Sequence, residues 1–312
     1  MTADLVLRPG QPPVLDAEPA VEWVAEHEHA VRAAVAEHGA VLVRGLRLTD
    51  LDDVRRVAAT LVQRPVRERQ GFAAREWYGD GLHSSALWPA TDVMCMHHEL
   101  SHLATPPGTL LMACLVAPDS GGATGVADGA AVLDALPADL VARFAEHGWL
   151  LERNYQPEFG LSWREAFGTD DRGLVEEELR REGAEWEWSG TDVLRTRQRR
   201  PAVVRHPVDG RRLWFNQVAF LSEWTLDPDI RSYLLEVADG LPLNTRYGDG
   251  EPLTADVVHL LNKTYEACTK ATPWQEGDLL VLDNIRTAHS REPYRGDRRV
   301  VVTLGDPVEV GA

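Results

Sequence analysis

The chain has few cysteines, no long apolar run and no excess of positive charge. Its 312 residues include three cysteines, and their spacings match neither a metal-binding nor a disulfide framework. We therefore expect reduced thiols and a cytoplasmic protein. No apolar stretch approaches the roughly 20 residues that a membrane span needs. The amino terminus lacks the basic start and apolar centre of a signal peptide, so we expect no membrane partner.

The charge balance argues against a further class of partner. The formal net charge at pH 7 is -17. An acidic protein is repelled by nucleic acid and by anionic membranes, so we expect neither as the main partner. The chain contains no internal repeat, no low-complexity tract and no linker rich in glycine, serine or proline. Residues 1–312 are therefore predicted to form a single domain, with residues 1–16 irregular.

Apolar spacing predicts strands in the middle and at the end of the chain, with helices around them. The predicted helices span residues 18–38, 50–61, 128–146, 170–181, 228–238 and 254–270. The predicted strands span residues 40–45, 92–99, 109–116, 278–283 and 299–304. Residues 72–90 are predicted to form a long loop, which makes them a candidate lid. Because the strands do not alternate regularly with helices, we expect a mainly antiparallel β core with flanking helices.

The segment His97-His98-Glu99 closes one of the predicted strands. Residues i and i+2 of a strand point to the same face, so His97 and Glu99 can bind one ion while His98 points away. A third ligand, His289, would complete a set of two histidines and one carboxylate. That set leaves coordination positions open and is typical of non-heme Fe(II) oxygenases.

The residues around His289 support the interpretation of a metal site. Asp283-Asn284 closes an apolar strand, His289 follows in a predicted short loop, and Arg298-Arg299 opens the next strand. A guanidinium on that strand can make a bidentate contact with a carboxylate. Alternation along the strand places Arg298 and Arg299 on opposite faces, so we expect one of them to point inward.

These motifs resemble those of the taurine dioxygenase/clavaminate synthase-like superfamily. The resemblance rests on His97-His98-Glu99, Gly121-Gly122-Ala123-Thr124, the segment 277–284, His289 and Asp297-Arg298-Arg299, which follow in the family's order. It spans residues 30–305 and is greatest for the branch found in nonribosomal-peptide and amino-acid tailoring, which includes syringomycin-pathway hydroxylases.

The resemblance implies a fold, a cofactor and a set of residue roles. The implied fold is a double-stranded β-helix, or jelly roll, with helices outside it. The implied iron ligands are His97, Glu99 and His289. Thr124 would contact the cosubstrate 2-oxoglutarate, and Arg298 or Arg299 would bind its distal carboxylate, with Arg298 favoured. The other cosubstrate would be O2.

The implied reaction is hydroxylation of an aliphatic C–H bond in a biosynthetic pathway. The substrate would be an amino acid or an amino-acid-derived group, free or tethered to a carrier protein. Desaturation and cyclisation would use the same residues, so both stay open.

A competing motif overlaps the first one. His98-Glu99-Leu100-Ser101-His102 matches H-E-x-x-H, the signature of zinc metallohydrolases, which requires a helix that presents both histidines on one face. The extended form of the signature fails because Thr105 and Gly108 stand where a glycine and a histidine are required. This alternative also leaves His289 and the arginine pair without a role.

Overall fold

A computed structural model describes residues 4–156, 159–237 and 240–311 of the chain. Its α-helices are α1 Trp23–Glu26, α2 Glu28–His38, α3 Leu51–Leu61, α4 Gly129–Ala135, α5 Ala138–His147, α6 Trp163–Phe167, α7 Arg172–Arg181, α8 Pro228–Val237 and α9 Ala255–Cys268. A short 3-10 helix occupies Glu223–Thr225. The predicted helices are thus present, except that the first is divided at His27 and the one at 128–146 is divided at Leu136-Pro137.

Strands make up most of the remaining regular structure. In chain order they are β1 Leu5–Val6, β2 Val14–Asp16, β3 Ala40–Arg44, β4 Pro65–Val66, β5 Trp77–Gly79, β6 Leu82–Ser84, β7 Met94–His97, β8 Pro107–Val116, β9 Ser120–Gly121, β10 Thr124–Asp128, β11 Trp149–Tyr155, β12 Glu185–Ser189, β13 Val193–Arg200, β14 Val203–Arg205, β15 Arg212–Trp214, β16 Leu243–Tyr247, β17 Leu279–Asp283, β18 Thr287–Arg291, β19 Tyr294–Arg295 and β20 Arg299–Pro307.

The largest sheet runs in the order β1-β2-β3-β17-β8-β20-β6-β5. Its central strand β17 consists of four successive apolar residues and Asp283 because both of its faces are buried. Leu279 and Val281 pack into the cluster that includes the helices α1 to α3, whereas Leu280 and Leu282 pack into the cluster on the opposite face. Strand β17 is therefore anchored on both sides at the point where the chain turns toward β18.

A smaller sheet, in the order β10-β18-β7, carries the residues of the predicted metal site. Val126 of β10 packs in the same apolar cluster as Leu280 and Met112 of the large sheet, so the small sheet covers the inner face of the large one. A further sheet, in the order β12-β13-β11-β16, is formed by the segment between β10 and β17. The mainly β architecture with flanking helices agrees with the prediction.

Three local predictions were wrong. The region 1–16 is not wholly irregular, because β2 pairs in parallel with β3 and β1 pairs with β2. The predicted loop 72–90 contains the hairpin β5–β6, which joins the edge of the large sheet through β20. His289 lies within β18 rather than in a loop. Strands β2, β6 and β18 pair with β3, β20 and β7, which are distant in sequence, so local pattern does not reveal them.

The described part of the chain shows no helix long and apolar enough to cross a membrane. Cys95, Cys114 and Cys268 are free thiols.

A tight turn connects the central strand β17 to β18. One carboxylate oxygen of Asp283 accepts hydrogen bonds from the backbone N–H groups of Ile285, at 3.0 Å, and Arg286, at 3.1 Å. The other oxygen lies 2.8 Å from Nε2 of His206. This hydrogen bond raises the pKa of His206, against the opposing effect of burial. His206 therefore helps to hold the turn that leads into the strand of His289.

We expect His206→Gln to reduce stability in acid more than in alkali. The folded-state pKa of His206 is raised, so its contribution is fully present below the unfolded-state pKa of about 6.5 and is lost as pH rises through the folded-state value. Urea denaturation should show a difference of about 1 kcal/mol at pH 5 that shrinks at pH 9. His29→Gln, at an exposed position on α2, is the control; a pH-independent difference for His206→Gln would contradict the assignment.

Candidate active site

The small sheet brings together residues that are distant in sequence. His97 is the last residue of β7 and lies directly opposite His289 in the middle of β18. On the other side of β18, Val126 of β10 is the partner of His289, and Thr124 is the partner of Arg291. Pairing across three strands therefore sets the two histidines and Thr124 on one small surface.

Glu99 completes the cluster from the turn that follows β7. The ligand atoms of His97, Glu99 and His289 all lie within 4.8 Å of one another, and all three residues are buried. Leu100 adopts a left-handed conformation with φ 52°, which turns the chain directly after Glu99. The prediction that the strand continues through Glu99 was wrong in detail, since β7 ends at His97, but the two side chains still converge.

The two histidines are in the form that binds a metal ion. Burial lowers the pKa of His97 and lowers that of His289 further, so both imidazoles are neutral. Nδ1 of His97 donates to the backbone carbonyl of Cys95 at 2.8 Å, which leaves Nε2 with a free electron pair. Within the described residues Nε2 is buried and has no hydrogen-bond partner. A backbone carbonyl on the far nitrogen is a common way to orient a metal-binding histidine.

Asn284 fixes the backbone of Glu99. Its side-chain oxygen accepts from the N–H of Glu99 at 2.8 Å, and its side-chain nitrogen donates to the Glu99 carbonyl at 2.9 Å. The same nitrogen donates to the carbonyl of Pro107 at 2.7 Å. Asn284 therefore connects the turn of Glu99 to the end of β17. The sequence indicated Asn284 only as the end of a strand; an asparagine directly after an apolar strand and shortly before the distal histidine was the available signal.

A buried arginine contacts the carboxylate of Glu99. Nη2 of Arg75 donates to Oε2 of Glu99 at 2.8 Å, and Nε of Arg75 forms an ion pair with Oε2 of Glu68 at 2.7 Å. Burial raises the pKa of Glu68 to about 7, against the lowering effect of Arg75. Two buried carboxylates thus share one guanidinium. Neither residue was predicted as part of the site, because Arg75 and Glu68 stand in no recognisable motif.

Arg298 and Arg299 differ in exposure. Arg298 is half-buried, its Nε donates to the carbonyl of Gly122 at 3.2 Å, and its guanidinium lies 5.6 Å from the ring centre of Tyr294. Burial and the charge of Arg291 lower its pKa to about 10. Arg299 is exposed. Arg298 and Arg299 were predicted to point to opposite faces of the strand. Arg298 is the one that contacts the Gly-Gly segment before Thr124.

Thr124 lies at the start of β10 and is buried. Its hydroxyl oxygen accepts a hydrogen bond from the indole nitrogen of Trp274 at 3.2 Å. A hydroxyl can still donate its own proton when it accepts one, so Thr124 retains a donor for a ligand. Its role toward a cosubstrate stays a prediction.

The H-E-x-x-H alternative lacks the helix that it requires. Residues 98–102 form a turn, and the left-handed Leu100 in its centre is incompatible with an α-helix. Nδ1 of His98 lies 2.8 Å from the carbonyl of Asn284, whereas Nδ1 of His102 lies 3.0 Å from the side-chain oxygen of Gln217. The two histidines thus serve separate structural contacts, and the zinc-helix arrangement is absent.

Comparison with known proteins agrees with this geometry. The family sequence model described as "Taurine catabolism dioxygenase TauD, TfdA family" matches residues 7–304 of the chain. The chain belongs to this family. A curated relative, the dapdiamide synthesis protein DdaC of Enterobacter agglomerans, is 32% identical over 282 residues, which cover 90% of this chain and 86% of DdaC. A clavaminate synthase-like protein of Arabidopsis thaliana is 28% identical over 294 residues, 91% of this chain and 86% of that protein.

Solved structures of low sequence identity share the fold. AAD-2 in complex with Mn(II) and N-oxalylglycine aligns with a TM-score of 0.57 and 17% identity over 100% of both chains. PvcB from Pseudomonas aeruginosa aligns with a TM-score of 0.56 and 14% identity, over 97% of this chain and 89% of PvcB. The predicted double-stranded β-helix is therefore confirmed.

Membership of the TauD/TfdA family also confirms the predicted enzyme class. The family comprises dioxygenases that depend on Fe(II) and 2-oxoglutarate, with O2 as the second cosubstrate. The His97, Glu99 and His289 cluster suits Fe(II), because two neutral imidazoles and one carboxylate are the donors of non-heme iron oxygenases. The assignment of individual residues to the iron and to 2-oxoglutarate stays a proposal.

We expect Arg75→Met to destabilise the metal-free protein by about 3–5 kcal/mol, because it leaves two buried carboxylates without a counter-charge. A saturating divalent cation such as Mn(II) should recover more stability in the variant than in the wild type, since the cation replaces the lost positive charge beside Glu99. Urea denaturation with and without Mn(II) measures both effects.

The matched control is Arg69→Met on the same segment. Arg69 is 55% exposed in its ion pair with Glu178, so its loss should cost within about 1 kcal/mol and should not depend on Mn(II). Equal losses for the two variants would contradict a buried role for Arg75.

Proposed function

We propose that this chain is an Fe(II)- and 2-oxoglutarate-dependent hydroxylase that acts on an aliphatic C–H bond of an amino acid or amino-acid-derived molecule in a biosynthetic pathway. The observation that carries the proposal is the buried convergence of His97, Glu99 and His289 within 4.8 Å. A set of three protein ligands leaves coordination positions for a cosubstrate and O2.

The substrate class is supported by the names of relatives. DdaC is a dapdiamide synthesis protein, and PvcB is described as an oxygenase from an isonitrile synthetic pathway. Both belong to small-molecule biosynthesis. The substrate is either free or tethered to a carrier protein, and desaturation or cyclisation would require the same metal and cosubstrate residues.

The protein's own residues would hold the iron, orient its ligands and bind the cosubstrate. His97, Glu99 and His289 would hold the iron, while Arg75 and Asn284 keep Glu99 oriented toward it. Arg298 would bind the distal carboxylate of 2-oxoglutarate, to which a guanidinium can donate two hydrogen bonds. When bound, iron would activate O2, the four-electron oxidant, while 2-oxoglutarate and R–H would each give two electrons, so that 2-oxoglutarate, O2 and R–H become succinate, CO2 and R–OH. The protein contributes positioning and the exclusion of water.

Substitution of the ligands should abolish this activity. With Fe(II), the wild type should consume 2-oxoglutarate slowly even without substrate, and His97→Ala or His289→Ala should reduce both this turnover and iron binding by more than about 100-fold. His102→Ala should retain iron, because His102 contacts Gln217 outside the cluster. Succinate formation and iron content are the measurements. Loss of iron in His102→Ala with retention in His289→Ala would refute the proposal.

The two adjacent arginines offer a matched pair for the cosubstrate. Arg298→Gln should raise the KM for 2-oxoglutarate by about 10- to 100-fold, the equivalent of one or two charge-assisted hydrogen bonds. Arg299→Gln, at an exposed position, should change it by less than about twofold. An equal effect of the two substitutions, or a larger one for Arg299→Gln, would argue against Arg298 as the carboxylate ligand.

A further inference from the structure

A small apolar cavity lies beside the candidate metal site. Its volume is about 200 Å³, and its walls include Phe72, Trp88, Phe220, Leu226, Leu234 and Leu243. No charged side chain lines it among the described residues. The volume is comparable with that of a single large side chain rather than a drug-sized ligand.

Two of the aromatic walls separate the cavity from a predicted iron ligand by the thickness of one ring. The ring of Phe220 stacks on the imidazole of His97 with 4.4 Å between ring centres, and the ring of Phe72 meets the same imidazole edge-on at 5.5 Å. Phe72 and Phe220 also contact each other, at 4.6 Å. A group in the cavity would therefore lie one aromatic ring away from the imidazole of His97.

The polar groups of the cavity walls are already used within the protein. The hydroxyl of Ser222 accepts from the backbone N–H of Trp224 at 3.3 Å, and the hydroxyl of Thr225 donates to the carbonyl of Ser222 at 2.7 Å. The indole nitrogen of Trp88 has no hydrogen-bond partner in the described chain, but it is buried and not accessible from the cavity. The cavity thus offers mainly carbon surface.

A larger cavity, of about 690 Å³, is less suited to this role. Its walls carry charged side chains of both signs, among them Glu152, Arg197 and Arg246, and several of these are paired with one another. None of the predicted metal or cosubstrate residues lines it. No predicted metal or cosubstrate residue lines the small cavity either, but two of its wall residues, Phe72 and Phe220, contact the imidazole of His97. This proximity to the candidate site favours the small cavity.

We propose that the small cavity binds an uncharged, apolar end of the substrate, such as a branched aliphatic or an aromatic group. This inference rests on the proposed function and narrows its substrate class. A carboxylate or ammonium group placed there would lose its hydration without gaining a counter-charge, whereas an apolar group gains from the removal of its surface from water.

A matched pair of fragments tests this preference in the metal-free protein. In 4-methylpentanamide an isopropyl group stands where 4-amino-4-oxobutanoate has a carboxylate, so the two differ in charge at nearly equal shape. We expect calorimetry or ligand-observed NMR to show saturable binding of 4-methylpentanamide at least about tenfold tighter than that of the charged fragment. The comparison is repeated in Arg298→Gln, because the carboxylate of the charged fragment could otherwise bind at the proposed cosubstrate site. Equal or tighter binding of the charged fragment in that variant, or no saturable binding of the neutral one, would overturn the inference.

Two positions on α8 provide the variants. Leu234→Asp introduces a charge into the cavity wall and should weaken binding of 4-methylpentanamide at least about tenfold. Ile230→Asp, at an exposed position on the same helix, should leave that binding unchanged. Circular dichroism and thermal unfolding establish that both variants are folded. Binding that survives Leu234→Asp would place the fragment elsewhere and overturn the inference.

This test is separable from that of the proposed function. If the wild type fails to consume 2-oxoglutarate but still binds the neutral fragment through Leu234, the proposed function fails while the cavity's preference stands. If it consumes 2-oxoglutarate but shows no preference between the fragments, only the inference fails.

Discussion

Antiparallel pairing of β18 with β7 and β10 is the constraint on which the candidate active site depends. It sets His289 opposite His97 and places both on the sheet that begins with Thr124. A slip by one residue would turn His289 to the other face, because side chains alternate along a strand. The register is held by the turn before β18, where Asp283 accepts from two backbone N–H groups and Arg286 forms an ion pair with Asp128 at 2.7 Å.

The candidate active site contains polar and charged side chains that lose their hydration because they are buried. His97, Glu99, His289 and Arg75 are all buried, and such groups remain in a protein interior only when they are neutral or paired. The imidazoles are neutral, the carboxylate is paired with Arg75, and Asn284 satisfies the adjacent backbone. Unpartnered atoms that remain, such as Nε2 of His97, are those that a cation would engage. The same burial keeps water from the place where an oxidation would occur.

The segment predicted as a loop has a larger part in the site than its sequence indicates. Phe72 contacts the ring of His97, Arg75 contacts Glu99, and Trp88 contacts Phe72 and Phe220. Between them the β5–β6 hairpin joins the edge of the large sheet. The segment therefore supports two predicted iron ligands and also lines the apolar cavity. Residues 72–90 were predicted to be a candidate lid. The contacts of Phe72, Arg75 and Trp88 indicate that the two ends of this segment form part of the candidate site itself.

Local sequence was sufficient to predict the long helices, the central strands and the residues of the candidate metal site. Strand β17 could be predicted because four successive apolar residues need two buried faces. Helix α3 could be predicted because an amphipathic pattern follows two candidate capping residues, Thr49 and Asp50, of which Asp50 is the cap in the structure. The three residues of the candidate metal site were recognisable through their motifs, while their role as ligands and the single-domain organisation stay predictions. Local sequence did not predict strands β1, β2 and β18. It also did not predict the ion pairs of Arg75 or the hydrogen bonds between Asn284 and Glu99. Their stability comes from partners elsewhere in the chain, many of them tens to hundreds of residues away, and a contact of that kind leaves no periodic trace in the segment that makes it.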